Sequence, residues 1–264
     1  MSIKMSFSGV FLWVVLLAFT LNAGGQNMPG QVLVKGGSFV PIYGSEGVEI
    51  VVEDFKMDKY PVTNAQYLTF VKENPQWRKS EIKRLFADKN YLSDWDSDLS
   101  YGSLLPKSPV TNISWFAAKA YCESKGQRLP AMDEWEYAAM ADEKQKDARE
   151  DSLYNQYILS WYEAPKTFSN EIGQTFKNYW GLYDMHGLVW EWTMDFNSVM
   201  ISGESRGDVD LDRNLFCAGG AVGATDLMNY AAFMRYAFRG SLKANYAVKN
   251  LGFRCAENVK STTQ

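Results

Sequence analysis

Trp180-Gly181-Leu182-Tyr183-Asp184-Met185-His186-Gly187-Leu188-Val189-Trp190-Glu191-Trp192 is the densest run of chemistry in this chain. Asp184 and Glu191 flank the bend at Gly187, so one turn can present two carboxylates. Calcium takes several oxygens, from carboxylates and backbone carbonyls, at flexible spacing. The plainer alternative is a hairpin turn in which Asp184 bonds its own backbone. His186 is the only histidine in the chain, which excludes any metal centre built from three histidines. A lone His beside a Gly turn is more often structural, and nothing supports a Ser-His-Asp arrangement around it.

On the C-terminal side, short motifs separated by glycines continue to Leu251-Gly252-Phe253-Arg254-Cys255. On the N-terminal side, residues 154–179 show weak periodicity and read as loop with short strands. Residues 142–151 read as a charged, solvated stretch. Three helices are predicted further upstream. Thr63 and Gln66 make a capping box, and Tyr67, Phe70 and Val71 fall on one face of the helix they open, which Pro75 ends. Ser114 caps a second helix over Trp115–Ser124, stopped by Gly126, with Ala118, Tyr121 and Cys122 on its buried face. A third runs over residues 133–140, its acidic start matched to the helix dipole, with Trp135, Ala138 and Ala139 inward. Residues 32–40 and 48–55 alternate like strands, the first with a tight turn at Gly36-Gly37. Residues 75–106 read as an ordered insertion, with a short helix at 80–87. Helices early, then turns and short strands, predict an α+β fold with much irregular structure.

Lys4, the uncharged apolar run 9–21 and the small residue Ala23 read as a secretory signal over residues 1–23. The run falls short of the ~20 apolar residues of a membrane span, and no cysteine follows it to carry a lipid. The expected address is periplasmic or secreted. About 240 residues remain, enough for a full core, and the domain is placed at 30–258. A formal charge of −4 with both signs scattered argues against a nucleic-acid surface. The chain has 9 Trp, 15 Tyr and 15 Phe, so rings must fill much of the core, most of them as packing. Export permits disulfides. Three cysteines, Cys122, Cys217 and Cys255, allow one bridge and leave one over.

Four blocks, in order, resemble the formylglycine-generating (sulfatase-modifying factor) family. The first is Val34-Lys35-Gly36-Gly37-Ser38-Phe39, and the second runs from Met57 to Tyr67, with Tyr60, Val62, Thr63, Asn64 and Tyr67 in a Tyr-x-Val-Thr-Asn-x-x-Tyr pattern. The third runs from Pro109-Val110-Thr111-Asn112-Ile113-Ser114-Trp115 through Gln127-Arg128-Leu129-Pro130 to Glu134-Trp135-Glu136-Tyr137-Ala138. The fourth is the 180–192 stretch with Leu251-Gly252-Phe253-Arg254-Cys255. The resemblance implies the family's fold, an irregular α+β relative of the C-type lectin fold with a small twisted sheet and two main helices. It implies calcium held by the side chains of Asp184 and Glu191 and the carbonyls of Gly187 and Val189. It implies a structural disulfide between Cys122 and Cys255, with two buried free thiols as the alternative. Trp190, Arg235 and Arg239 match positions around the family's peptide groove, although the two arginines can instead pair structurally with carboxylates.

Active members of the family bind copper through two cysteines shortly after a Gly-Gly-Ser turn, and copper(I) prefers such soft thiolates. Here the turn reads Gly219-Gly220-Ala221, the two thiol positions fall near Ala224 and Asn229, and residues 219–238 contain no cysteine. The expected function is a non-catalytic accessory or binding module for a protein or peptide client. The alternative is a copper-dependent oxidase of the formylglycine-generating type, acting on a client cysteine, with a site rebuilt from Cys217 and Met228 or Met234. Methionine as core filler is the competing reading. A lectin-like sugar site rests on fold analogy alone, and no Glu/Asn pair is free for it.

Overall fold

The computed structural model of the chain describes residues 30–42, 47–197 and 227–259, with the backbone alone at 227–229. The predicted signal over residues 1–23, together with Cys217, Ala221 and Ala224, lies outside the described residues, as do the side chains of Met228 and Asn229. Strands β1 (Gln31–Val34), β4 (Phe55–Asp58) and β7 (Ala256–Asn258) form an antiparallel sheet in the order β1-β4-β7. The register sets Val34 against Phe55 and Met57 against Ala256, so segments from near both ends of the chain flank β4. Strands β2 (Gly37–Phe39) and β3 (Ile50–Val52) pair as a second, two-stranded sheet, antiparallel. The two-residue strands β5 (Trp190–Glu191) and β6 (Leu251–Gly252) pair in parallel.

The expected strand over 32–40 is broken into β1 and β2 at Gly36. A Cβ there would meet the Val52 carbonyl oxygen at 2.3 Å, so only glycine lets the two backbones pass. The alternating run 48–55 also divides, into β3 and the start of β4, with Asp54 between them accepting the Gly36 N–H at 2.8 Å.

Helix α1 (Asn64–Glu73) opens as its sequence dictates. The Gln66 side chain accepts the Thr63 N–H at 2.9 Å, and the Gln66 N–H donates back to Thr63 Oγ1 at 3.3 Å. Helix α2 (Trp115–Ser124) has Ser114 as its cap, and Gly126, at φ +72°, ends it. Tyr67 of α1 stacks on Tyr121 of α2 at 5.8 Å, and Phe70 and Phe253 meet Tyr121 edge-on. These rings are core packing, as composition suggested.

The 75–106 insertion is ordered and covers this core. The Tyr91 and Tyr67 hydroxyls lie 2.6 Å apart, and the Trp95 indole N–H donates to Asn64. The short helix expected at 80–87 does not form; the segment runs as turns. The Ser80 N–H and hydroxyl both bond Asp98, so a tertiary partner takes the groups that would have started a helix.

Helix α3 (Met132–Ala139) starts one residue earlier than its acidic run suggested. Asp195 accepts the Met132 N–H at 2.7 Å, and Glu134 reaches back to the Ala131 N–H at 2.8 Å. Two further helices were not foreseen. Helix α4 (Ser152–Glu163) occupies a region read as solvated stretch and loop, and helix α5 (Leu227–Gly240) one read as Gly-separated motifs. Asp151 caps α4 by accepting the Leu153 and Tyr154 N–H groups. The buried face of α4 is narrow and carries the polar-tipped Tyr154 and Asn155 beside Ile158, while Leu153 is exposed, so its apolar period is blurred. Ala231 of α5 joins the same small cluster as Tyr154 and Ile158.

Cys122 of α2 and Cys255, just before β7, are joined as a disulfide across 133 residues. No helix among the described residues is long and apolar enough to cross a membrane.

Candidate functional site

Four elements converge on one cavity of about 410 Å³. Helix α3 supplies Trp135, α4 supplies Trp161 and Tyr162, α5 supplies Arg235, Phe238 and Arg239, and the loop into β5 supplies residues 185–191. Trp190 is held as the middle ring of a stack, 5.2 Å from Tyr162 and 4.8 Å from Phe238. Gly187 has φ +115°, and a Cβ there would meet the Trp161 ring at 2.6 Å, so the Gly turn lets the tryptophan pack down on the loop.

Below the cavity lies a buried charge cluster. Glu136 accepts Arg235 at 2.9 Å from Nη2 and at 3.1 and 3.2 Å from Nε, and it accepts Arg239 Nη1 at 2.6 Å. Burial alone would raise the Glu136 carboxyl, but the two arginines outweigh it and hold it at about 2. Both guanidiniums also lie over the Trp135 ring, at 5.9 and 5.1 Å. The spacing of four between the arginines, on what proves to be a helix, puts both on one face.

His186 also lines the cavity and is buried. Its Nε2 lies 2.8 Å from the Ala139 carbonyl and 3.1 Å from the Tyr154 hydroxyl, which places its proton on Nε2. Burial first, then Arg235, lowers its pKa to about 3. The ring is therefore neutral, and its Nδ1 lone pair has no partner among the described residues.

The proposed calcium ligands are placed differently from an open oxygen cage. Asp184 is fully buried at φ +57°, and its carboxylate accepts the N–H groups of Gly173 and Thr175. Both Glu191 oxygens face Arg254, at 2.8 to 3.0 Å, and one also accepts the Trp135 indole N–H at 2.8 Å. Arg254 is itself wholly buried, with further bonds to the carbonyls of Asp58, Lys59 and Tyr183. The Gly187 carbonyl faces the Thr167 hydroxyl at 3.4 Å, and Val189 lines the cavity. Calcium needs six to eight oxygens free to turn to it, yet each carboxylate here is committed to N–H donors and a guanidinium stands beside Glu191. The donor set does not fit the ion.

A two-thiolate copper site does not fit either. With Cys122 and Cys255 bridged, Cys217 is the one thiol left in the chain. Met234 lies on the cavity wall. The structure thus brings Trp190, Arg235 and Arg239 to one cavity, with both arginines paired to the Glu136 carboxylate. It also brings in residues the sequence reading passed over. Glu136 stood inside a quoted block without a role, and Trp161, Tyr162 and Phe238 lie on the two unforeseen helices.

The chain matches the sulfatase-modifying factor enzyme 1-like domain over residues 19–259, and it belongs to that family. Among curated relatives it is 30% identical to the inactive C-alpha-formylglycine-generating enzyme 2 of Bos taurus, covering 80% of this chain and 79% of the relative. The Mus musculus counterpart is 28% identical over 95% of this chain and 92% of its own length. The formylglycine-generating enzyme of Bos taurus is 27% identical, covering 81% and 68%. Among solved structures, PvdO from Pseudomonas aeruginosa is 18% identical with a TM-score of 0.48, covering 87% of this chain and 94% of that one.

Proposed function

We propose that this chain is an exported, non-catalytic member of its family that holds a segment of a partner protein in the cavity beneath Trp190. The observation that carries this reading is a concave aromatic site whose acid and base groups are already spent. Glu136 is tied to two arginines, Glu191 to a third, and His186 is neutral with Nε2 engaged. General acid–base work needs a group near its own pKa at working pH with a free proton path, and among the described residues lining the cavity none is so placed. Thiol oxidation with copper needs thiolates, and one remains in the chain. What is left is shape, rings and charge, which are the means of binding. The similarity to relatives named as inactive supports the same reading.

The test is a peptide oxidation assay. Purified protein with copper, calcium and oxygen is given a Cys-x-Pro-x-Arg peptide, and mass spectrometry follows conversion of Cys to formylglycine, with an active family member in parallel. No conversion is expected. Turnover above the control without protein would overturn the non-catalytic reading.

A further inference from the structure

Among the described residues, the cavity beneath Trp190 sets two guanidiniums against one carboxylate in contact with them. Among the described residues, Arg235 and Arg239 share the single carboxylate of Glu136. Glu191 contributes nothing to that balance, because it and Arg254 neutralise each other at zero side-chain exposure. Asp133, on the first turn of α3, is the other acid in electrostatic reach. Its carboxyl is pushed up by burial, then by Asp195 and by Glu136, against the weaker pull of Arg239, and the only carboxylate in ion-pair contact with Arg239 among the described residues is Glu136. Arg239 thus shares its one paired carboxylate with a second guanidinium, and it lies on the wall of a cavity.

Arg239 also has donors to spare. A guanidinium carries five N–H groups. The one hydrogen bond of Arg239 among the described residues runs from Nη1 to Glu136. Two lysines carry the same sign to the cavity wall. Lys166 is exposed and held at φ +55°, a conformation that is uncommon for a residue with a side chain and that recurs at ligand clamps. Lys249, with 62% of its side chain exposed, has Asp94 at 3.6 Å. Between the cations the walls are apolar, formed by the rings of Trp161, Trp190 and Phe238. About 410 Å³ accommodates a large side chain together with a small neighbour.

We infer that the occupant of this cavity is an acidic peptide segment, in which a large aromatic side chain enters among the rings and an adjacent Asp or Glu carboxylate pairs with Arg239. This rests on the peptide-binding reading above and adds the chemistry of the partner. The carboxylate completes a cluster of two cations and two anions, and a planar fork on a carboxylate is the strong form of such a pair. The lysines steer the acidic segment inward and speed its association at low salt.

Fluorescence polarisation with labelled peptides tests this. Both ends are blocked, a Gly-Ser frame is constant, and the central pair is Trp-Glu, Trp-Gln or Trp-Lys; a fourth peptide ends in Trp with a free carboxylate. Trp-Glu is expected to bind best, with Trp-Gln at least about tenfold weaker, as expected for loss of one charge-assisted bond. Trp-Lys is expected to be weaker still. Arg239→Gln is expected to bring the Glu and Gln peptides within about twofold of each other. Should that variant fail to fold, the exposed Lys166→Glu gives a second readout and weakens Trp-Glu selectively. Equal binding of Trp-Glu and Trp-Gln would overturn the acidic preference while leaving the cavity as a peptide site. Binding of none of the four would overturn both. Tightest binding by the free C-terminal carboxylate would overturn the assignment to an acidic side chain.

Discussion

Glu191 and Arg254 are each fully buried, and each makes the other tolerable. Removing one partner of such a pair leaves an unpaired charge inside, which costs about 3–5 kcal/mol. Glu191→Gln is expected to lower stability by about that amount in urea unfolding. The same commitment of Glu191 and Asp184 predicts that millimolar calcium, or its removal with a chelator, leaves the thermal midpoint of the wild-type protein unmoved. A saturable rise with calcium would mean that Asp184, Gly187, Val189 and Glu191 do turn to a metal. His186 carries a pH dependence. Its folded pKa, about 3, lies below the ordinary 6.5, so the unfolded chain takes up a proton from pH 6.5 downward that the folded chain refuses. Stability is therefore unaffected above 6.5 and falls towards pH 3 at up to about 1.4 kcal/mol per pH unit. Glu136, held at about 2 against 4.5, adds a second loss from 4.5 downward. Unfolding of His186→Gln between pH 6.5 and 4.5 is expected to lose the upper slope; an unchanged slope would show that His186 is protonated in the folded state.

At the scale of elements, the helices that were legible are those whose ends are written locally. Thr63 with Gln66, and Ser114, satisfy orphan N–H groups within three residues, so the signal lies in the sequence itself. Helix α4 also carries a local cap, at Asp151, but neither it nor α5 shows a clear apolar period. Each buries a face that exists only against the other elements around the cavity, and polar-tipped rings on α4 hide the period that apolar residues would show. Ala231 and Ala232 are each 2% exposed, so small side chains set how closely α5 approaches. Ala231→Leu is expected to destabilise by about 1–3 kcal/mol through overpacking. Leu153→Ala, at a residue 73% exposed on the far face of α4, is expected to stay within about 0.5 kcal/mol. Equal effects of the two would contradict the helix orientation. The 80–87 segment makes the converse point, because Asp98 draws Ser80 away from a helix that local pattern favoured.

At the scale of the molecule, one covalent link ties helix α2, near the middle of the chain, to the start of its last strand. The bridge between Cys122 and Cys255 closes a loop of 133 residues, which the chain-entropy account values at about 4–5 kcal/mol. The Cys122→Ser, Cys255→Ser double variant is expected to show a lower urea midpoint corresponding to a loss of about that size. Reductant is then expected to have no further effect. A midpoint equal to that of the oxidised parent would show that the two thiols are not joined.

The sequence alone determined the two early helices and their caps and the poverty of thiols, since these rest on local chemistry or on counting; the family and the Cys122–Cys255 bridge were implied by resemblance, and the structure decided between that bridge and two free thiols. Only the tertiary structure decided what the charged residues do. Glu191 finds Arg254 63 positions away, and Glu136 finds Arg235 99 positions away. A carboxylate looks the same in the sequence whether it will hold a metal ion or a guanidinium. Which of these it meets depends on what the folded chain brings within about 3 Å of it in a place that water cannot reach.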